Sequence, residues 1–393
     1  MKNPLFLYCL IILTAALQSQ TVTPEGQLSA WANINGQKFS DSQIGLRYIP
    51  SLFVEKHFKS GLSLDAELSV NAVSAAVFDE PDQFAEDASL KAYRVWLRFA
   101  GSQFEARGGL QKIDFGTATL LRSLRWFDSI DPRDPLQITN GVYALLGRYF
   151  FLNNANIWVW GLYGNEESKG SEVFATADNT VEFGGRIQHP IGSGELAFSY
   201  HRRKFDLNKN LFNIPICEGP FTPAICENSI IPENRFALDG KWDLQIGLWF
   251  ETALIQQGLT FLNLLFKYQN FLTLGADYTF PWGNGLYVMA EHLVVSQGNK
   301  LSKLRETVNF SAWSAFYNIG LLDRVSAIVY YDWSQKQVFR FASFSRFYDK
   351  WSFYLNVFWN PEDAGFGFAG LRRDSENTFG IGKGLQIMAV YNH

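Results

Sequence analysis

Residues 112–140 hold the densest set of chemically capable side chains in the chain. Four basic residues, Lys112, Arg122, Arg125 and Arg133, stand there with four acidic ones, Asp114, Asp128, Asp131 and Asp134. Between them lie Ile113, Phe115, Leu120, Leu121, Leu124, Trp126 and Phe127, too much apolar surface for a loop bathed in water. Charges threaded through such a segment suit a piece of chain folded into a cavity, where they face other charges across a gap. Rings of that kind select ions and narrow a passage. The other reading of the same segment is an external cap or a surface for a partner.

Bond-making chemistry finds less support. His57, His189, His201, His292 and His393 are the only histidines, and the first two fall in expected turns. Ser199 and His201 share one strand face near the expected extracellular rim, where a surface hydrolase would need them, but no nucleophile motif surrounds them. No phosphate-cradling motif and no metal-ligand spacing is present, so we expect no catalytic residues, no metal and no cofactor. A net charge of −4 offers no basic footprint for nucleic acid.

The elements that must position these charges are strands. From Leu62 to Ala72 every even residue is apolar and every odd one polar or charged, which gives a strand one greasy face and one face carrying Asp65 and Glu67. About 9 to 11 residues is the length a tilted strand needs to cross a bilayer. The pattern recurs: Leu28, Ala30, Ala32 and Ile34; Tyr93, Val95, Leu97 and Phe99 against Arg94, Trp96 and Arg98; Trp351, Phe353, Leu355, Val357 and Trp359 against Ser352 and Asn356. About eighteen such segments can be counted, with sixteen as the alternative. Short turns and long connections alternate between them, with only 36–42 and 334–336 short on the long side, as in an up-and-down barrel with periplasmic turns and extracellular loops. Long connections are expected at 73–90, 112–140, 164–179, 204–233, 257–270, 296–307 and 361–383. In hydrocarbon an open sheet edge would strand backbone groups, so the strands must close into a ring. Pairing the first strand with Gly384 to Asn392 accomplishes this.

Composition agrees. Hydrophobic residues make up 47% and aromatic residues 16% of 393 residues, yet mean hydropathy is only −0.07; interleaved faces give that combination, in a membrane barrel or in a large soluble β protein. The expected fold is all-β, a single transmembrane antiparallel up-and-down β-barrel. Its inward charges would be Asp65, Glu67, Arg94, Arg98, Glu105, Arg107, Glu182, Arg186, Arg235, Asp239, Lys241, Glu251, Asp277, Glu291, Arg340 and Arg346. Of the wall charges, Arg94, Arg98, Glu105, Arg107, Glu182 and Arg186 are expected to line the pore with the charges of 112–140. Mixed signs leave two readings, a selective lining or ion pairs that fill the interior. Trp31, Trp158, Trp160, Trp242, Trp351 and Trp359 are expected in interfacial girdles, with Trp96 and Trp249 lumenal.

The N-terminus reads as an export signal: Lys2, an apolar run from Leu5 to Leu17, then small and polar residues. Residues 1–19 are therefore assigned to a cleaved signal peptide and 20–393 to the barrel. Cys9 lies inside the apolar run, which disfavours a lipid anchor. The mature chain keeps Cys217 and Cys226, expected to form a disulfide that pins loop 204–233 in an oxidising compartment.

Gly109, Gln111, Ile113, Phe115 and Gly116, followed by Asp131-Pro132-Arg133-Asp134, resemble an element of bacterial outer-membrane porins of the alginate-export type. Leu274-Gly275-Ala276-Asp277-Tyr278 and Asn284-Gly285-Leu286-Tyr287 resemble barrel proteins of Bacteroidota and their relatives. The resemblance implies an eighteen-stranded barrel that exports or conducts anionic polysaccharide. This chain differs in its mixed-sign interior and in ending on His393. The expectation is an outer-membrane, porin-like channel in contact with membrane lipid, passing small hydrophilic solutes or oligosaccharides. The runner-up is a non-conducting barrel that partners a larger complex. An exporter of polysaccharide or hydrophobic compounds stands third, since no N-terminal hatch precedes the first strand.

Overall fold

The computed structural model describes residues 21–36, 42–80, 83–210, 229–258, 266–361 and 382–393. The expected signal peptide and both Cys217 and Cys226 lie outside them. The first strands are β1 (Thr21–Asn35), β2 (Gln43–His57), β3 (Ser63–Glu80), β4 (Gln83–Ala100), β5 (Phe104–Gln111), β6 (Val142–Phe150) and β7 (Asn156–Leu162). There follow β8 (Phe174–Thr176), β9 (Glu182–Ile191), β10 (Gly194–Asn210), β11 (Ile230–Asp243), β12 (Gly247–Gln257) and β13 (Tyr268–Phe280). The last are β14 (Leu286–Gly298), β15 (Arg305–Asn318), β16 (Asp323–Asp332), β17 (Gln337–Phe347), β18 (Trp351–Trp359) and β19 (Lys383–Asn392).

Every strand pairs antiparallel with its neighbours, and β1 pairs with β19 to shut the ring. The three-residue β8 sits on β10 outside the main circuit, and β7 pairs directly with β9. The wall is therefore an eighteen-stranded closed barrel, as the alternation predicts. At the seam, Gly26 and His393 exchange backbone hydrogen bonds of 3.0 Å each way. The His393 ring lies between Tyr48 and Tyr391, with centroids 5.9 Å from each.

The greasy faces point outward. Ile34, Leu68, Leu97, Leu355, Val357 and Ile387 are all exposed on the ring's exterior, where the solvent is lipid. Asp65, Arg94, Arg186, Asp239, Glu251 and Glu291 are buried on the inner face. Four expectations need correction. Residues 73–90 are mostly strand: β3 and β4 continue as a long hairpin. Arg340 and Arg346 point outward, because the inner positions of β17 are taken by Phe339, Phe341 and Ser345. Both arginines lie towards strand ends, where a long stem can carry its charge to the interface. Trp31, Trp158 and Trp160 face inward and pack against interior apolar clusters, so they are not girdle residues. Trp249 faces inward as expected, but it is buried under the in-folded loop.

Candidate channel constriction

The segment between β5 and β6 enters the lumen. Gly109 and Gly116 steer it, with φ of 121° and 106°, conformations that side chains with a Cβ rarely adopt. A Cβ on Gly116 would also stand 2.3 Å from Glu251 Oε1. That carboxylate is the first of two clasps. Glu251 Oε1 accepts the backbone N–H groups of Thr117 (2.5 Å) and Ala118 (2.7 Å), and Oε2 those of Ser123 (2.9 Å) and Leu124 (3.2 Å). Glu291 accepts from Thr119 (2.7 Å), Leu120 (2.8 Å) and Leu121 (2.6 Å), and from the Trp249 indole at 3.1 Å. Two wall carboxylates thus satisfy the amides of an irregular segment that would otherwise lie buried without partners.

Apolar packing carries the loop across the barrel. Leu120 and Leu121 join inward residues of β14 to β18, among them Leu293, Phe310, Tyr330, Phe339 and Phe358. Ile113, Phe115, Leu124, Trp126 and Phe127 pack on Val142, Leu146, Trp160 and Leu162 of β6 and β7. Further along, Leu136 reaches Trp31, Val73 and Val390 on β1, β3 and β19. The exit is tied by Arg94 of β4, whose Nη2 donates to the Thr139 carbonyl at 2.9 Å.

The charges of the loop pair mainly with each other. Arg122 bridges Asp114 and Asp128, the latter at 2.5 Å. Burial alone would lower its pKa, but the carboxylates of Asp128 and Asp114 outweigh that and hold it above the ordinary arginine value. Lys112 meets Asp114 at 3.2 Å. Arg133 forks onto Asp131 at 2.6 Å; burial opposes ionisation of Asp131, yet Arg133 keeps its pKa below the usual carboxylate range. Asp134 is raised, first by burial and further by the neighbouring Asp131, although its carboxylate accepts the Leu136 N–H at 2.9 Å. Arg125 is buried and donates to the Gly170 carbonyl at 3.4 Å.

Below the loop the wall keeps a partly buried cluster. Arg98 pairs with Asp65 at 2.6 Å, and Glu105 meets Arg148 at 3.1 Å and Arg107 at 3.8 Å. Arg107 lies over the Trp96 ring at 4.7 Å and Arg148 over Trp158 at 3.8 Å. Arg186 and Glu182 belong to other sectors. Arg186 forks onto Asp239 at 2.6 and 2.8 Å and donates to Ser199 at 3.1 Å.

Glu182, at the start of β9, meets a second in-folded segment, residues 164–179, which the sequence places in an extracellular loop. Lys169 reaches Glu182 at 2.9 Å and Glu172 at 3.3 Å. Glu172 in turn pairs with Arg203 (2.9 Å) and Arg235 (3.0 Å), and both arginines share Glu233 at 2.7 Å. All of these groups are buried. His201 completes the cluster: the Trp160 indole faces its Nδ1 at 3.2 Å, and Glu182 faces its Nε2 at 3.1 Å. An indole nitrogen only donates, so Nδ1 accepts and the Nε2 proton points to Glu182. The segment also locks the first loop, since Ser171 N donates to the Arg125 carbonyl at 3.0 Å. A cleft of about 270 Å³ remains between the two segments, lined by Ser129, Asn140, Tyr143, Asn165 and Lys169 among others.

The sequence singled out residues 112–140 and their charges, but not how the segment is held. Glu251 and Glu291 figured only as wall charges, and Lys169 and Glu172 not at all. Their partners are backbone amides and distant strands, which leave no local mark.

A closed antiparallel barrel of this kind is a fold shared with solved outer-membrane proteins. Salmonella typhi OmpF, in complex with daunomycin, superposes with a TM-score of 0.50 at 10% identity, covering 95% of this chain and 97% of that one. The trimer form of the Vibrio cholerae outer-membrane protein OmpT also gives 0.50, at 12% identity, covering 96% and 100%. Identity this low establishes a shared fold alone. No protein-family model matches the chain, and no curated protein matches it in sequence.

Proposed function

We propose that this chain is an outer-membrane channel of narrow bore for small hydrophilic solutes, with residues 112–140 setting the passage. The observation that carries the reading is the double clasp. Seven backbone amides held by two wall carboxylates fix the segment at a defined place in the lumen, as a size filter requires. The partly buried Arg98, Arg107, Arg148 and Glu105 give a mixed-sign lining below it, which favours neutral and zwitterionic solutes over one sign of ion. The porin fold supports the membrane location. The passage of anionic polysaccharide that the family resemblance implies gains little from this lining, because its arginines stand beside carboxylates.

One observation favours the second reading, a barrel that does not conduct and serves as a partner. The loop touches opposite sectors of the ring, and the ion cluster around Lys169 is sealed. Recording in planar bilayers separates the two. Steady ohmic steps from folded protein support the channel, and silence from folded protein supports the partner. Reversal potentials in a salt gradient then report selectivity.

A further inference from the structure

The periplasmic turns differ from one side of the barrel to the other. Five consecutive turns, at 151–155, 192–193, 244–246, 281–285 and 319–322, contain no charged residue. Four of them end in apolar side chains held away from the protein: Leu152 is 92% exposed, Leu244 64%, Trp282 63% and Leu321 103%. The turns that complete the circle carry Lys59, Asp349 and Lys350, or Ser102 and Gln103. One side of the rim is thus richer in apolar tips: its nearest exposed charge is Asp243 at the end of β11, whereas on the other side Phe58 and Tyr348 share their turns with charged residues.

We propose that the apolar arc is immersed in the inner-leaflet phospholipid, so that the barrel sits deeper on its β6–β16 side than on the other. Two observations favour lipid over a protein. The tips continue the outward face without a break. Tyr278, Phe280 and Trp282 form a ladder with centroids 4.9 and 5.0 Å apart, and Tyr149 meets Phe151 at 4.9 Å. The tips are also strung one per turn along one side of the ring, where neighbouring turns lie about 10 Å apart; a protein would have to wrap the mouth to cover them all.

The test uses the full barrel in phosphatidylcholine vesicles, with Cys217 and Cys226 replaced by serine and a nitroxide placed at Leu152→Cys, Leu321→Cys or, on the polar side, Ser60→Cys. Labels at 152 and 321 should collide more with oxygen than with a soluble nickel complex, and the ratio should reverse at 60. The inference fails if 152 and 321 behave like 60, or if both reagents are excluded there, which would mean that protein covers the arc. Should a cysteine variant not insert, Trp282→Phe gives a second readout. It should remove part of the emission quenched by bromines placed shallowly on the lipid chains, and unchanged quenching overturns the proposal. Neither measurement depends on whether the barrel conducts.

Discussion

Replacing Glu251 by glutamine tests whether the wall carboxylates hold the loop. The substitution keeps one oxygen and turns the other into an NH₂ group that faces two backbone donors, either those of Thr117 and Ala118 or those of Ser123 and Leu124. Two buried N–H groups then lose their acceptor, at about 1–3 kcal/mol each. A total of about 2–6 kcal/mol shifts the docking equilibrium of the segment by a factor of roughly 30 to 10⁴. Glu291 and the apolar clusters still hold the flanks, so the barrel should fold and keep its mobility on unheated gels. In a planar bilayer the variant should show noisier steps and excursions to higher conductance than the parent. Protease added to vesicles should cut between 112 and 140 in the variant and spare the parent. Quiet steps of parental size together with parental protease resistance would refute the clasp as the element that sets the passage.

Other outcomes follow from the same geometry. Gly116→Ala should weaken loop docking like Glu251→Gln, because φ is 106° and the new methyl would meet Glu251; equal proteolysis rates in parent and variant would contradict it. Lys169→Met leaves Glu172 and Glu182 short of a cation in a buried cluster and should cost about 3–5 kcal/mol, read as a lower unfolding temperature in detergent and partly recovered by adding Glu182→Gln. Asp134 has a raised pKa in the folded chain, so its protonated form is the one the fold favours. Its contribution is greatest at low pH and is lost as pH rises past the ordinary aspartate value. Asp134→Asn should therefore gain stability relative to the parent between pH 4 and pH 7, and a difference independent of pH would remove that account. Leu355→Arg on the lipid face should destabilise the inserted barrel by about 2–4 kcal/mol, whereas Ser352→Arg on the inner face near the rim should do so far less; equal losses would mean the faces are misassigned.

Much of this architecture is legible in the chain because a strand broadcasts its two faces at period two. Leu385, Ile387, Ala389 and Tyr391 point where the alternation says, and their strand closes the ring. The failures share one cause. Assigning charge inward and aromatic outward assumes a wet lumen, whereas here the loop packs against much of the inner wall. Once Leu120, Phe115 and Trp126 occupy the interior, the wall facing them must be apolar, and Trp160, Leu146 and Phe341 supply it. β17, with aromatic residues at Phe339, Phe341 and Phe344 on both sides of its plane, then offers no cue to tell its faces apart. The site was half visible for a related reason. Pairs close in sequence, such as Asp131 with Arg133, could be seen, but Glu251 serving amides more than a hundred residues away could not.

The seam between β1 and β19 sets a constraint on assembly. Each hairpin of the wall can form from neighbours in sequence, but Gln27 meets Asn392 across 365 positions. Until that last register forms, the leading strand presents a bare row of donors and acceptors able to recruit any foreign strand. Ring closure is therefore the slowest, least local event expected in the folding of this molecule, and the stage at which it is most open to mispairing.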